Sequence, residues 1–162
     1  MQHGSESHGG GDGTMMRQHY TMLAVNLGLS LVIMYVAMFV MIWSWGEFIQ
    51  NINFFYMALV MWAPMSAVML LTMRSMYSNA KLNALLYALF AIVLVLSFIG
   101  VREQGLVGDK QFVRSMIPHH SGAILMCERA SIKDAEVRDL CSNIVESQQR
   151  EIDQLKLILD RL

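Results

Sequence analysis

Between Met116 and Glu128 two adjacent histidines, two methionines, a cysteine and a glutamate fall within thirteen residues: Met-Ile-Pro-His-His-Ser-Gly-Ala-Ile-Leu-Met-Cys-Glu. Imidazole and thioether together suit a soft monovalent cation such as Cu(I) or Ag(I) better than a hard one. On a helix, steps of three, four and seven residues return to nearly the same face, so Met116, His119, Ala123 and Met126 are expected along one ridge. His120 and Cys127 then form the neighbouring ridge. The primary metal candidates are thus His119, His120, Met116 and Met126, with Cys127, Cys141 and Glu128 as possible additions. The alternative for the same pattern is a stripe facing a protein core, with the histidines structural.

These residues need a helix, and the flanking sequence supplies one. The Gly105 to Gly108 region breaks the preceding pattern and Asp109 can cap a new helix with its side-chain oxygen. Phe112, Met116, Ala123, Cys127 and Ala130 keep helical spacing, and Pro118 should bend or break the helix just before the histidines. A short turn at Ser131 to Lys133 leads to Asp134, a second cap, and then to a long amphipathic helix. Its expected seam is Val137, Leu140, Cys141, Ile144, Gln148, Ile152, Leu155, Leu159 and Leu162. The short turn makes the two helices antiparallel neighbours, which brings Cys127 and Cys141 to similar heights. A disulfide between them suits a site outside the cytoplasm, and two small buried residues are the other outcome. Because one hairpin has little core, a homodimer forming a four-helix bundle is expected.

The rest of the chain reads as a membrane anchor. Of 162 residues 55% are hydrophobic and 15% charged, and 19 of the 25 charged residues lie from Val101 onward. Charge-free runs of 29, 26 and 20 residues separate Arg17 from Glu47, Glu47 from Arg74, and Lys81 from Arg102. Each is long enough for a bilayer-spanning helix. Spans are expected at about 21–45, 53–73 and 82–100, behind a disordered polar tail over 1–20 and ahead of a water-soluble domain over 101–162. Tyr20, Trp43, Trp45, Tyr56 and Tyr77 mark span ends. Arg17, Arg74 and Lys81 share one side, which leans toward an inside amino terminus and an extracytoplasmic hairpin in a bacterial cell membrane.

Fifteen methionines are the compositional anomaly. Met57, Met61, Met65, Met69 and Met73 recur every fourth residue, and Met34, Met38 and Met41 lie in the first span. Each step of four drifts about 40° around a helix, so the five spiral rather than line a pore. Packing between helices accounts for them better than a thioether relay. With no Asp, Glu, Lys or Arg inside a span, the markers of a proton-coupled path are missing and an anchor is expected rather than a pump. The balanced charge of the soluble part leaves no footprint for nucleic acid, and no nucleophile–base motif or nucleotide fingerprint implies an organic cofactor or catalysis.

From Asp109 to about Leu162 the chain resembles the bacterial family known as domain of unknown function 305. Met116-Ile-Pro-His-His-Ser-Gly-Ala-Ile carries the likeness, supported by Met126, Glu136-Val-Arg-Asp-Leu and Gln149-Arg-Glu-Ile. The three spans are similar to that family's membrane-anchored branch. The resemblance implies a ferritin-like helical fold, copper or silver binding and tolerance outside the cytoplasm, and metal roles for Met116, His119, His120 and Met126. Many relatives carry methionine where this chain has Leu155, which removes one ligand from the second helix.

Three functions follow: a membrane-anchored protein that sequesters or passes on Cu(I) or Ag(I) without catalysis; a non-catalytic oligomerisation module with structural histidines; and a ferritin-like di-iron enzyme. The last would need Glu-x-x-His pairs. Met116 and Ile117 stand where those glutamates belong, leaving only Glu128, Glu146 and Glu151 as carboxylate candidates.

Overall fold

The computed structural model describes residues 10–162, with side-chain environments from residue 14 onward. The described residues are all-helical: α1 (Gly10–Ala37), a short 3-10 helix (Trp45–Glu47), α2 (Ile52–Thr72), α3 (Ala80–Arg102), α4 (Asp109–Arg129) and α5 (Ala135–Arg161). Three of these, Thr14–Ala37 within α1, Ile52–Thr72 and Ala80–Arg102, are long and apolar enough to cross a membrane.

The expected polar tail falls partly outside the described residues, and from Gly10 the chain is already helical. Once a helix is nucleated, adding residues at its end costs little, and Met15, Met16, Arg17 and Gln18 are good helix formers. The other end of α1 departs further, because the helix stops at Ala37 and not near Trp45. Successive tight turns, Phe39 N–H to Val36 O and Val40 N–H to Ala37 O, carry the chain sideways. They bury Phe39 among Tyr35, Phe48 and Phe54, with ring centroids 4.3 to 5.5 Å apart. An aromatic cluster of this kind outweighs the few helical hydrogen bonds surrendered.

Helix α2 is central and packs on both α1 and α3. Asn51 caps it by accepting from Phe54 N–H at 2.9 Å, and Asn79 caps α3 by accepting from Leu82 N–H at 3.0 Å. The core between them gathers Leu23, Leu27, Ala63, Leu70, Tyr77 and Phe90. Gly100 lets α3 approach α2, since a Cβ there would lie 3.1 Å from the ring of Tyr56. The methionine spiral on α2 divides as packing predicts: Met57, Met61 and Met65 face outward, whereas Met69 and Met73 pack on this core.

Helices α4 and α5 form the antiparallel hairpin. Asp134 accepts from Val137 N–H at 3.0 Å and caps α5. Asp109 does not cap α4: Gly108 holds the cap position without a side-chain bond, and Asp109 sits in the first turn, where its charge favours the helix dipole. Pro118 is accommodated inside a helix continuous from Asp109 to Arg129. The buried stripe is Val113, Ile117 and Ile124 against Ile152, each such aliphatic side chain contributing roughly 2 kcal/mol. The expected stripe lay one position off, and Phe112 is 50% exposed. Likewise Val137, Leu140 and Leu162 at the ends of the α5 seam are exposed. Cys127 and Cys141 form a disulfide, with Cα atoms 5.3 Å apart.

Candidate functional site

The hairpin rests on the segment joining α1 to α2, and a buried carboxylate organises the contact. Glu47, 2% exposed, is positioned by the 3-10 helix it ends. Its Oε2 accepts from the Ser121 hydroxyl at 2.5 Å and from Ser44 N–H at 3.0 Å. Its Oε1 lies 3.6 Å from Lys156 Nζ on α5. Ser121 Oγ in turn accepts from Trp43 N–H at 2.6 Å. A carboxylate so far from water is tolerated because each oxygen has a partner, one of them cationic. The guanidinium of Arg129 lies over the Trp43 ring, 5.5 Å from its centroid. Nearby, Gln111 Oε1 accepts from Ile52 N–H and Ser115 Oγ from Asn53 Nδ2, tying α4 to the start of α2.

This docking gives the adjacent histidines different surroundings. His119 is exposed toward a cleft of about 390 Å³ shared with Met38, Met41, Phe54, Ala123 and Met126. Gly122 is the floor of that cleft: a Cβ there would come within 3.6 Å of the Met41 carbonyl oxygen, so the missing side chain leaves the space open. His120 turns the other way, is 7% exposed, and lines a cleft of about 270 Å³ with Phe112, Met116, Glu151, Gln154 and Leu155. The two rings stand 5.9 Å apart at 60°.

His120 Nδ1 is 3.0 Å from Glu151 Oε2. The carboxylate lies out of line with the ring N–H, so Nδ1 has no aligned hydrogen bond despite the short distance. Burial pushes the His120 pKa below the usual imidazole value; Glu151 pulls it up and His119 pushes it further down. Desolvation wins because Glu151 is half-exposed, and His120 is neutral at pH 7.

The expected ligands therefore separate. His119 and Met126 share the first cleft, with Met126 59% exposed, whereas Met116 and His120 share the second. The single ridge expected for Met116, His119 and Met126 holds for the last two only. At 100° per residue Met116 lies 60° from His119 but 40° from His120, so it follows His120 toward α5. The disulfide withdraws Cys127 and Cys141 as thiolate ligands. Glu128 and Glu146 lie beside that disulfide at the hairpin tip, Glu146 3.4 Å from Arg150, and away from Glu151. Among the described residues no three His, Cys, Asp or Glu gather around a point that could hold a metal. The residues that sequence reasoning missed are Glu47, Ser121 and Lys156. Glu47 was visible only as the charge separating two apolar runs.

Donor chemistry fits the first cleft to a soft cation, since it offers thioethers and one imidazole without a carboxylate. The second cleft mixes a thioether, an imidazole and a carboxylate.

A family model described as a domain of unknown function (DUF305) matches residues 63–159. An uncharacterized protein of Acanthamoeba polyphaga mimivirus is 34% identical over 119 residues, which cover 72% of this chain and 76% of that protein. No solved structure matches.

Proposed function

We propose, for a chain that belongs to the DUF305 family, that it is a membrane-anchored binding protein for Cu(I) or Ag(I), which it sequesters or passes on without catalysis. One observation carries this reading: His119 and Met126 open into the same carboxylate-free cleft beside further thioethers. Soft donors in a pocket with no anionic ligand favour a polarisable monovalent cation over Zn(II), Fe(II) or Mg(II). The three apolar helices would hold the hairpin at a cell membrane. A hairpin outside the cytoplasm agrees with its disulfide and with Arg17, Arg74 and Lys81 at the opposite end of the helices.

Titrating the purified full chain in detergent with Ag(I), and with Cu(I) under anaerobic conditions, tests the assignment. Saturable binding that collapses in the His119→Ala, Met126→Leu double variant is expected. Binding that is unchanged in that variant would remove the basis of the proposal.

A second reading, an oligomerisation module with structural histidines, rests on the exposed apolar side chains of α5. Leu140 and Leu157, 57% and 73% exposed, are large enough to seek a second copy of the hairpin. That reading requires a dimer that persists without metal by light scattering and dissociates in a Leu140→Glu, Leu157→Glu variant.

A further inference from the structure

The cleft around His119 is not a property of the hairpin alone. Met38 and Met41 belong to the end of the first apolar helix and the turns that follow it, and both lie before the family-matched stretch that begins at residue 63. Resting on the soft-metal reading above, we propose that Met38 and Met41 complete the His119 site, so that the hairpin and the anchor each supply part of the ligand set for one Cu(I) or Ag(I) ion.

Two observations carry this. Donor number comes first. The hairpin brings one imidazole and one thioether to this cleft, and the turns after α1 bring two more thioethers, which makes a four-donor set without any anion. Such a set discriminates by softness, because thioether and neutral imidazole gain little from hard divalent cations and much from Cu(I) or Ag(I).

Placement is the second. The chain from Met38 to Glu47 is fixed to α4 at three separate points. Ser121 Oγ accepts from Trp43 N–H and donates to buried Glu47, Arg129 covers the Trp43 ring, and the Met41 backbone lies against Gly122. Phe39 points the opposite way, into its aromatic cluster, leaving Met38 and Met41 on the cleft side. Leucine would serve packing equally well at both positions. A thioether differs from it in donor capacity and flexibility.

The geometry makes occupancy of the cleft a bond between hairpin and anchor, and it makes an excised hairpin an incomplete site. The test uses the full chain in detergent micelles and Ag(I), which undergoes no redox change during titration. The Met38→Leu, Met41→Leu variant preserves volume and apolarity. Its Ag(I) affinity is expected to fall 10- to 100-fold with an unchanged circular dichroism spectrum, and His119→Ala should fall at least as far. Mass spectrometry after brief hydrogen peroxide treatment reads the sulfurs directly. Ag(I) should suppress sulfoxidation of Met38, Met41 and Met126 at least fivefold and leave Met15, at the far end of α1, unprotected. Full affinity in the double variant, or unprotected Met38 and Met41 while His119→Ala abolishes binding, overturns the shared site and leaves the proposed function standing. Failure of the unmodified chain to bind Ag(I) overturns both.

Discussion

Two faces of one helix, a single residue apart in the chain, do opposite things with a histidine. On one face of α4, His119 opens into a thioether-lined cleft where the hairpin meets the anchor. On the other, His120 is buried against α5 with Glu151 beside it. The pair of histidines is therefore not one bidentate unit. The rotation of about 100° between neighbours on a helix is enough to hand one ring to the anchor and the other to the hairpin core. A dense patch of ligand-type residues is divided by its helix before any metal arrives.

The comparison is sharpest in metal binding, where the largest effect is expected. Changing His119→Ala with Met126→Leu removes an imidazole and a thioether from one cleft, and a loss of affinity on the order of 1,000-fold, or about 4 kcal/mol, is expected. The matching change on the other face, Met116→Leu with His120→Ala, should alter Ag(I) affinity by less than about threefold, well under 1 kcal/mol. Calorimetric titration of both variants in detergent decides it. Equal losses would mean that the two clefts act as one site.

Next in size is the carboxylate that joins the two regions. Glu47→Ala strands the Ser121 hydroxyl, Ser44 N–H and Lys156, and should cost about 3 kcal/mol of stability. Lys156→Met should cost less than about 1 kcal/mol, because that ammonium is partly solvated and the carboxylate keeps its other donors. Denaturant unfolding followed by circular dichroism gives both numbers. If Glu47 secures the Met38 to Glu47 segment to α4, its loss also weakens Ag(I) binding about tenfold. The His120 face should be indifferent to it.

The disulfide tests whether the hairpin tip belongs to either face. It closes a loop of 14 residues' separation, and Cys127→Ser with Cys141→Ser should cost about 2–3 kcal/mol. Ag(I) affinity should stay within about threefold of the unmodified chain. A larger loss would return the cysteines to the ligand set.

How much of this was legible depends on the scale of the question. Charge-free runs bounded by Arg17, Glu47, Arg74, Lys81 and Arg102 locate three apolar helices to within a few residues at most ends, because burial of a charge in hydrocarbon is so costly. Asp134 as a cap and the hairpin itself are equally plain. The end of α1 was hidden, because apolar sequence continues through Met41 and only Phe39's aromatic partners, distant in the chain, turn it aside. The facing of α4 was hidden for a related reason. A one-residue error in the buried stripe, Phe112 in place of Val113, rotates every ligand by 100° and merges two clefts into one ridge. Glu47 read as a boundary charge, and nothing local to it reveals Ser121 74 positions later.

The smallest expected effect bears hardest on the division between the faces. Glu151 is half-exposed and out of line with the His120 ring, so Glu151→Gln should cost less than about 1 kcal/mol of stability. Its effect on Ag(I) affinity should be negligible. The reason for making the change is what a large effect would mean. A carboxylate on one imidazole nitrogen commonly orients the other toward a metal, and losing such a partner costs roughly 10- to 100-fold in affinity. A tenfold loss in Glu151→Gln would identify His120 as a ligand held from behind by Glu151, with Met116 beside it. The hairpin would then carry a complete site of its own, independent of Met38 and Met41. An affinity within twofold of the unmodified chain, together with a collapse in His119→Ala, instead leaves His120 as a neutral core residue and the seam as the place where the metal binds.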